Sequence, residues 1–571
     1  MKKSATTFIA LSGILLMLPA VTFNQNIPVP IEKRLSIHRE VQDDPYTPNR
    51  FGNKKTSPAK TYRGTGIFTT QVNVNGNGEN IVGDAANEPS LAIDPTDPNR
   101  MVIGWRQFDD VYSNFRQAGW AYSTDAGQTW TFPGTIETGI FRSDPVLDAD
   151  SSGYVYYNSL THDSVFDIYS CKVFRSDDGG AQWNDGVPAH GGDKQWMTID
   201  RSGSPGKGNI YSFWTSYYSS CWPGFFTRST DTANSFEDCI EVIGNPYWGT
   251  MTVGNDGEVY VAGSGDIGGI VVAKSTTAVN PGFPVSWDFY TNADMDGYIT
   301  SGITVNPGGL LGQASIDVDR SNGPGRGNVY VLASVVRLSN NDLADVMFSK
   351  SAWGGLDWDP PVRINDDIGT DHYQWFGTMS VAPNGRIDVV WLDTRDAPPG
   401  TVLSALYYSY STNQGESFSV NERISELFDP HVGWPNQNKM GDYFDMESDD
   451  NGAHLAWANT LNGEEDVYYS YITPDVTGLQ NDHASQEMIS LTSYPNPFNN
   501  RTTIGFTIRV TSEVKIVILD VFGKVVKTLV DEKKQPGTYH TDWVSDLPAG
   551  YYECRLSAGT QTKHAGLVKV R

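Results

Sequence analysis

The chain is short of positive charge: 41 Lys+Arg stand against 67 Asp+Glu, a net of −26 over 571 residues. Such a field repels polyanions and offers no basic footprint for a phosphate backbone, which excludes nucleic acid as a partner. Cysteine is scarce too. Four residues in so long a chain cannot form a disulfide scaffold, and Cys171, Cys221, Cys239 and Cys554 lack the paired spacing that holds zinc. Cys221 and Cys239 flank an expected hairpin and are the pair placed for a bridge in an oxidising compartment, whereas Cys171 and Cys554 read as buried, unpaired thiols. Long apolar runs are confined to Phe8–Ala20, which follows Lys2 and Lys3 and is too short to span a bilayer. Residues 1–24 therefore read as a signal peptide, with no cysteine nearby to carry a lipid anchor. No cofactor-binding motif is present, and none is expected.

What the chain has instead is glycine and aromatic rings: 57 Gly, 28 Tyr and 16 Trp describe a turn-rich protein built of strands. A strand, a turn rich in Asp, Asn or Gly, and a second strand rich in Val, Tyr and Trp recur seven times. The copies begin at Ser90 (SLAIDPTDPNRMVIGW), Pro145, Trp196, Thr250, Ala314, Thr378 and Asp442. Recurrence at this period is the signature of a repeat architecture. A third strand and a tight turn follow each pair, best kept as YSTDAGQTW (Ser123, Asp125, Gly127, Trp130) and RSDDGGAQW (Ser176, Asp178, Gly180, Trp183). Weaker copies start at Ser229, Ser351 and Ser411. In such a turn the Ser and Asp oxygens accept backbone N–H bonds, Gly supplies positive φ, and the ring packs beneath the hairpin.

This turn resembles the Asp-box, or BNR repeat, of sialidases and related β-propellers, from about Glu88 to Pro474. The resemblance implies an all-β propeller, and the seven units make it seven-bladed over 66–474, with six blades, the count familiar in sialidases, as the alternative, after an N-terminal extension at 25–65. The seventh unit shows only three strands, so GIFTTQVNV (66–74) is expected to complete it and close the ring. Beyond a polar linker at 475–491, alternating strands describe a small Ig-like β-sandwich. Its motifs YPNPFNNRTTIGF, VILDVFGKVVKTLV, LPAGYYECRL and LVKV resemble the type A sorting domain of the type IX secretion system. That implies a sorting domain at 492–571, contact with outer-membrane secretion machinery, and a secreted or cell-surface protein.

Function on such a scaffold is carried by loops, here those entering each first strand and those joining second to third strands. They concentrate Trp, Tyr, Arg and Asp, side chains that stack on sugars, clamp carboxylates and exchange protons. By resemblance, a sialidase-type exo-glycosidase would grip a substrate carboxylate with Arg106, Arg142 and Arg395. Asp110 or Asp193 would be its acid/base, and Tyr373 or Tyr443 its nucleophile. Trp196 and Trp375 would line the sugar site. The family's Tyr/Phe-Arg-Ile-Pro motif is absent, and FRSDP at Phe141 shares only part of it. No Glu stands in the middle loops to activate a Tyr, since Glu88 and Glu464 lie at the two ends. A non-catalytic propeller binding a glycan or protein is thus the alternative, with a polysaccharide lyase using His372 and Tyr373 as a third reading. The expected partner throughout is an extracellular glycan or glycoconjugate. DADSSG at Asp148 reads as a plain β-turn, and ADMDG at Ala293 as an incomplete calcium loop, so no metal is expected.

The acidity is uneven. Residues 491–571 carry 11 Lys+Arg and 7 Asp+Glu, a net of +4, which with Lys2 and Lys3 set aside leaves −32 on the remainder. A long-range field of that sign opposes an anionic sugar unless the site is locally basic.

Overall fold

The computed structural model describes residues 43–48, 54–163, 168–265, 268–474, 489–508, 511–521, 523–535, 537–559 and 561–570. The signal peptide expected at 1–24 and most of the expected linker lie outside the described residues. The chain divides into two compact units, Met1–Thr477 and Gly478–Arg571. Among the described residues, helix is limited to one turn, Ser216–Tyr218.

The first unit holds seven larger antiparallel sheets, each built outward from a first strand and mostly in chain order, beside two two-stranded sheets, Lys55–Pro58 with Glu79–Val82 and Ser301–Ile303 with Asn306–Leu310. The first strands are Ala85–Ile93, Ser143–Ala149, Trp196–Ile199, Met251–Val253, Ser315–Val318, Gln374–Val381 and Asp445–Ser448. Each packs against the first strand of the next sheet, and the seventh packs against the first, so the sheets form a closed ring. Closure uses the strand expected for it: Ile67–Gln71 pairs with Asp466–Ile472, Thr70 opposite Tyr469. The stretch read as an extension contributes more than a tail, because Thr61–Gly64 adds a fifth strand beside Ile67–Gln71. Second strands such as Met101–Phe108 and Ile387–Asp393 are buried on both faces, which explains why apolar residues stand consecutively in them, Met101–Trp105 and Val389–Leu392, rather than alternating.

First strands lie at sheet edges, where backbone N–H groups need acceptors. Short side chains supply them across six of the seven junctions. Asp445 accepts from Leu91 N at 2.9 Å, Ser90 from Leu147 N at 2.9 Å, and Asp148 from Ile199 N at 2.8 Å. Thr250 accepts from Ile316 N at 3.0 Å, Asp317 from Val381 N at 2.8 Å, and Ser380 from Ser448 N at 2.9 Å. Ring closure is therefore stitched by hydrogen bonds as well as by apolar packing.

The Ser-Asp turns clip the outer hairpins as expected. Ser123 donates to Asp125 and accepts from Gly127 N, at 2.8 and 2.9 Å, and Asp125 accepts from Thr129 N at 2.9 Å. Ser176 and Asp178 repeat this pattern, as do Ser411 and Asn413. At Gly127, φ is +77° and a Cβ would lie 2.3 Å from the Tyr469 ring, so only glycine fits there. A looser serine clip escaped the sequence: Ser275, ending the third strand of sheet four, accepts from Ala278 N at 3.1 Å, with Thr277 in place of the Asp.

In the second unit a three-stranded sheet (Ile489–Tyr494, Arg501–Ile508, Gly537–Val544) and a four-stranded sheet ordered Val525–Lys534, Ser512–Leu519, Gly550–Ala558, Gln561–Lys569 share one core. Ile504 and Phe506 from one meet Ile516, Leu556 and Leu567 from the other, with Trp543 and Phe498 buried beside them.

Candidate functional site

The ring axis has two ends. At the end where each first strand is entered, every sheet has a residue with left-handed backbone. These are Glu88 (φ 49°), Asp144 (46°), Lys194 (56°), Trp248 (53°), Gly312 (150°), Phe376 (56°) and Gly441 (89°). Five are not glycine, each holding a conformation that costs about 1–3 kcal/mol and that gathers at functional sites.

Three of these strained residues carry charge, and they meet. Lys194 Nζ lies 3.0 Å from Asp144, 3.5 Å from Asp193 and 2.8 Å from Asp442. Lys439 reaches Asp442 at 2.7 Å and Glu88 at 3.5 Å, and Arg106 Nη2 reaches Glu88 at 3.1 Å. Arg106 Nε also donates to Asn87 at 2.7 Å, and Asn87 donates in turn to Glu465. All of these side chains are buried. The segment carrying Lys439 straps this end: Asn436 N donates to Ser113 O, Gly308 N to Asn438 O, and Met440 N to Asn306 Oδ1.

Closure brings Glu88 of sheet one beside this segment of sheet seven; a Cβ on Gly441 would meet Glu88 Cγ at 2.5 Å. The expectation that no Glu stands near a candidate Tyr is corrected here, because the two sequence ends are neighbours in the ring. Burial pushes the Glu88 carboxyl up to about 8, against the pull of Arg106. Asp144 is driven the other way: burial opposes its charge, yet Lys194, Arg106 and Lys439 hold it well below the ordinary carboxylate range. Tyr443 is buried beneath this cluster, and its hydroxyl donates to Pro145 O at 2.8 Å. Burial, then Glu88 and Asp144, push that hydroxyl well above its ordinary range.

The other expected residues are dispersed. Arg142 and Arg395 sit in separate local ion pairs, apart from Arg106 in the axial cluster. Arg142 is held by Glu137 and Ser159 O, and Arg395 by Asp393 at 2.8 Å and Asp366 at 2.5 Å. Asp110 Oδ1 accepts from Tyr112 N at 2.8 Å, an Asx turn, and Asp193 belongs to the Lys194 cluster. Tyr373 bonds Thr304 Oγ1 at 3.2 Å and lines a separate pocket of 290 Å³, while His372 is 3.7 Å from Asp371. Trp375 is fully buried, donating to Ser404 Oγ at 3.2 Å, so it presents no face to a sugar. Cys221 and Cys239 are joined as a disulfide, and Cys171 and Cys554 are free and buried. Both acidic loops are otherwise engaged: Asp150 accepts from Ser152 N and Tyr154 N as a turn residue, and Asp296 is gripped by Arg337 at 2.6 Å.

The opposite end of the axis, where first strands turn into second strands, holds a cavity of 520 Å³ lined by the first strands of all seven sheets. Trp196, Phe376, Gln313 and Tyr443 form its buried floor. Arg201, Arg320, Arg326 and Pro383 form its exposed rim. Trp196 packs edge-on against Tyr443 at 5.5 Å, so the same aromatic layer closes one end and floors the other. At the rim Arg201 bonds Asp148 and Glu447, and Arg320 bonds Asp317 at 2.8 Å. Of the axial groups, Asp144, Lys194, Lys439 and Asp442 were not singled out in the sequence, and Glu88 was set aside for its place at one end of it. The signal available was a charged residue at one spacing before the Asp that closes the first strand in each of the first three repeats, Glu88 before Asp94, Asp144 before Asp150 and Lys194 before Asp200.

No curated protein matches the chain. Among solved structures, similarity extends to a protein of unknown function from Dyadobacter fermentans (13% identity, TM-score 0.41, 72% of this chain and 99% of that one). It extends also to the endosialidase of phage phi92 (10%, 0.39, 88% and 87%) and the sialidase of Trypanosoma rangeli (12%, 0.35, 87% and 89%). Residues 492–569 match the secretion system C-terminal sorting domain, and the protein carrying it is exported across the outer membrane to the cell surface or beyond.

Proposed function

We propose that this protein is an exported, seven-bladed β-propeller of the Asp-box type, spanning 66–474, that binds an extracellular glycan without cleaving it. The observation that carries the reading is the state of Tyr443. A nucleophilic Tyr needs a lowered barrier to losing its proton, yet this hydroxyl is buried, bonded to a backbone carbonyl, and shifted away from ionisation. Of the three arginines that would grip a carboxylate, Arg142 and Arg395 are taken up by neighbouring acids, and Arg106 is buried against Glu88 and Asn87. The test is incubation of the mature protein with a fluorogenic sialoside and a panel of polyanionic polysaccharides, beside retention on a glycan array. Retention without turnover is expected; turnover overturns the reading.

Sialidase-type hydrolysis is the second reading, favoured by one observation. Glu88, Arg106, Asp144 and Tyr443 converge at the end of the axis where such chemistry would sit. It requires the strap over Lys439 to open and Tyr443 to leave Pro145. Turnover that disappears in Tyr443→Phe would establish it.

A further inference from the structure

We infer that the axial cavity is a binding site for a neutral sugar unit, entered from the turn end of the ring. The inference rests on the glycan-binding reading and assigns its site and the charge of its ligand.

Its volume of 520 Å³ lies within the roughly 300–1,000 Å³ of small-molecule sites. Within it, Gln313 is 5% exposed, and neither its amide nitrogen nor its carbonyl oxygen has a partner. Leaving a buried donor or acceptor unmet costs about 1–3 kcal/mol, so such a carboxamide marks a place where something else supplies the bonds. The Ser448 hydroxyl, also in the lining, is likewise unpartnered. Neighbouring groups are already spent on the fold: Ser315 donates to Met379 O, Thr378 to Phe376 O, and Thr252 to Asp317.

The rim sets the ligand's charge. Two near-identical turns, DRSGSPGKGN from Asp200 and DRSNGPGRGN from Asp319, deliver Arg201 and Arg320 to it. Each arginine is neutralised by Asp148, Glu447 or Asp317, and Arg326 donates to the carbonyls of Arg320 and Ser321. An anion at Arg201 or Arg320 would have to break these pairs, and one at Arg326 would still meet the acidic field of the whole ring. A neutral ligand leaves them intact. The walls combine Trp196, Met251, Phe376 and Phe444 with the Gln313 amide, and a pyranose offers the match, an apolar C–H face and flanking hydroxyls.

The test is structure determination of the mature protein soaked with methyl β-glucoside or methyl β-galactoside, with 3′-sialyllactose as the anionic probe. Saturation-transfer NMR on the same probes accompanies it. A neutral glycoside bonded to Gln313 is expected, with binding weakened about tenfold in Gln313→Leu, the loss of roughly two neutral hydrogen bonds. Ser448→Ala serves as second variant if Gln313→Leu fails to fold, with a smaller loss expected. Ordered water alone in the cavity, or unchanged binding in the variants, overturns the inference. Were the protein still retained on a glycan array, the glycan reading would survive that failure; were it retained on none, both would fall.

Discussion

The two ends of the ring axis are made from the same seven strands and solve opposite problems. The entry end concentrates strain and charge: five non-glycine residues in left-handed backbone, and carboxylates paired with Lys194, Lys439 and Arg106 out of reach of water. The turn end has the same kinds of group, Arg201 with Asp148 and Glu447, but keeps them at an exposed rim around an open cavity. Burial makes the difference. A buried charge is costly to expose as a singleton, whereas a solvated pair contributes little either way. The entry end thus acts as a lock, while the turn end is free to meet a ligand.

The largest effect should come from breaking the lock. Lys194→Met removes the cation shared by Asp144, Asp193 and Asp442, leaving Lys439 on Asp442 but taking the 3.0 Å ion pair from the buried Asp144. Loss of about 3–5 kcal/mol is expected, read as a lower denaturant midpoint in urea. A loss below about 1 kcal/mol would mean that water reaches the cluster and that the two ends do not differ as described.

The next effect is pH dependence, and its sign is fixed by direction. Burial raises Glu88 to about 8, Asp466 to about 7 and Asp445 to about 6, all above their unfolded values. Between about pH 4.5 and 8 the native state therefore holds protons that the unfolded chain releases, and stability falls as pH rises through that window, by up to about 1.4 kcal/mol per pH unit for each group. Asp144 and Asp449, shifted down, act oppositely and only at more acid pH. The melting temperature should decline from pH 5 to pH 8, and Glu88→Gln should flatten part of that decline. A melting temperature rising across that range would contradict the burial assigned to these carboxylates.

Much of the ring could be read in advance because its signals are local. The Ser-Asp turns carry their hydrogen bonds within a few residues, and a seventh unit lacking a strand pointed to Ile67–Gln71. The entry cluster was hidden because closure assembles it: Glu88 and Asp442 lie more than half the chain apart and meet only where sheet seven abuts sheet one. Arg395 misled for the opposite reason. Its surroundings suggest a ligand clamp, while its partner Asp393 stands two residues away and takes it first. Gln313 gave no signal at all, since an unpartnered amide is a property of packing.

The smallest expected effect tests the other half of the comparison. Arg201→Ala removes contacts to Asp148 and Glu447, the same chemistry as at Lys194, but the Arg201 side chain is 32% exposed. Water and salt screen such a pair, so its removal should cost no more than about 1 kcal/mol, with the cost shrinking at high ionic strength. Asp148 keeps its bond from Ile199 N, so the stitch between sheets two and three survives. Urea denaturation at low and high salt, run beside Lys194→Met, gives the ratio directly. Equal losses would mean that the rim is as buried as the lock, leaving no open end for a ligand to enter.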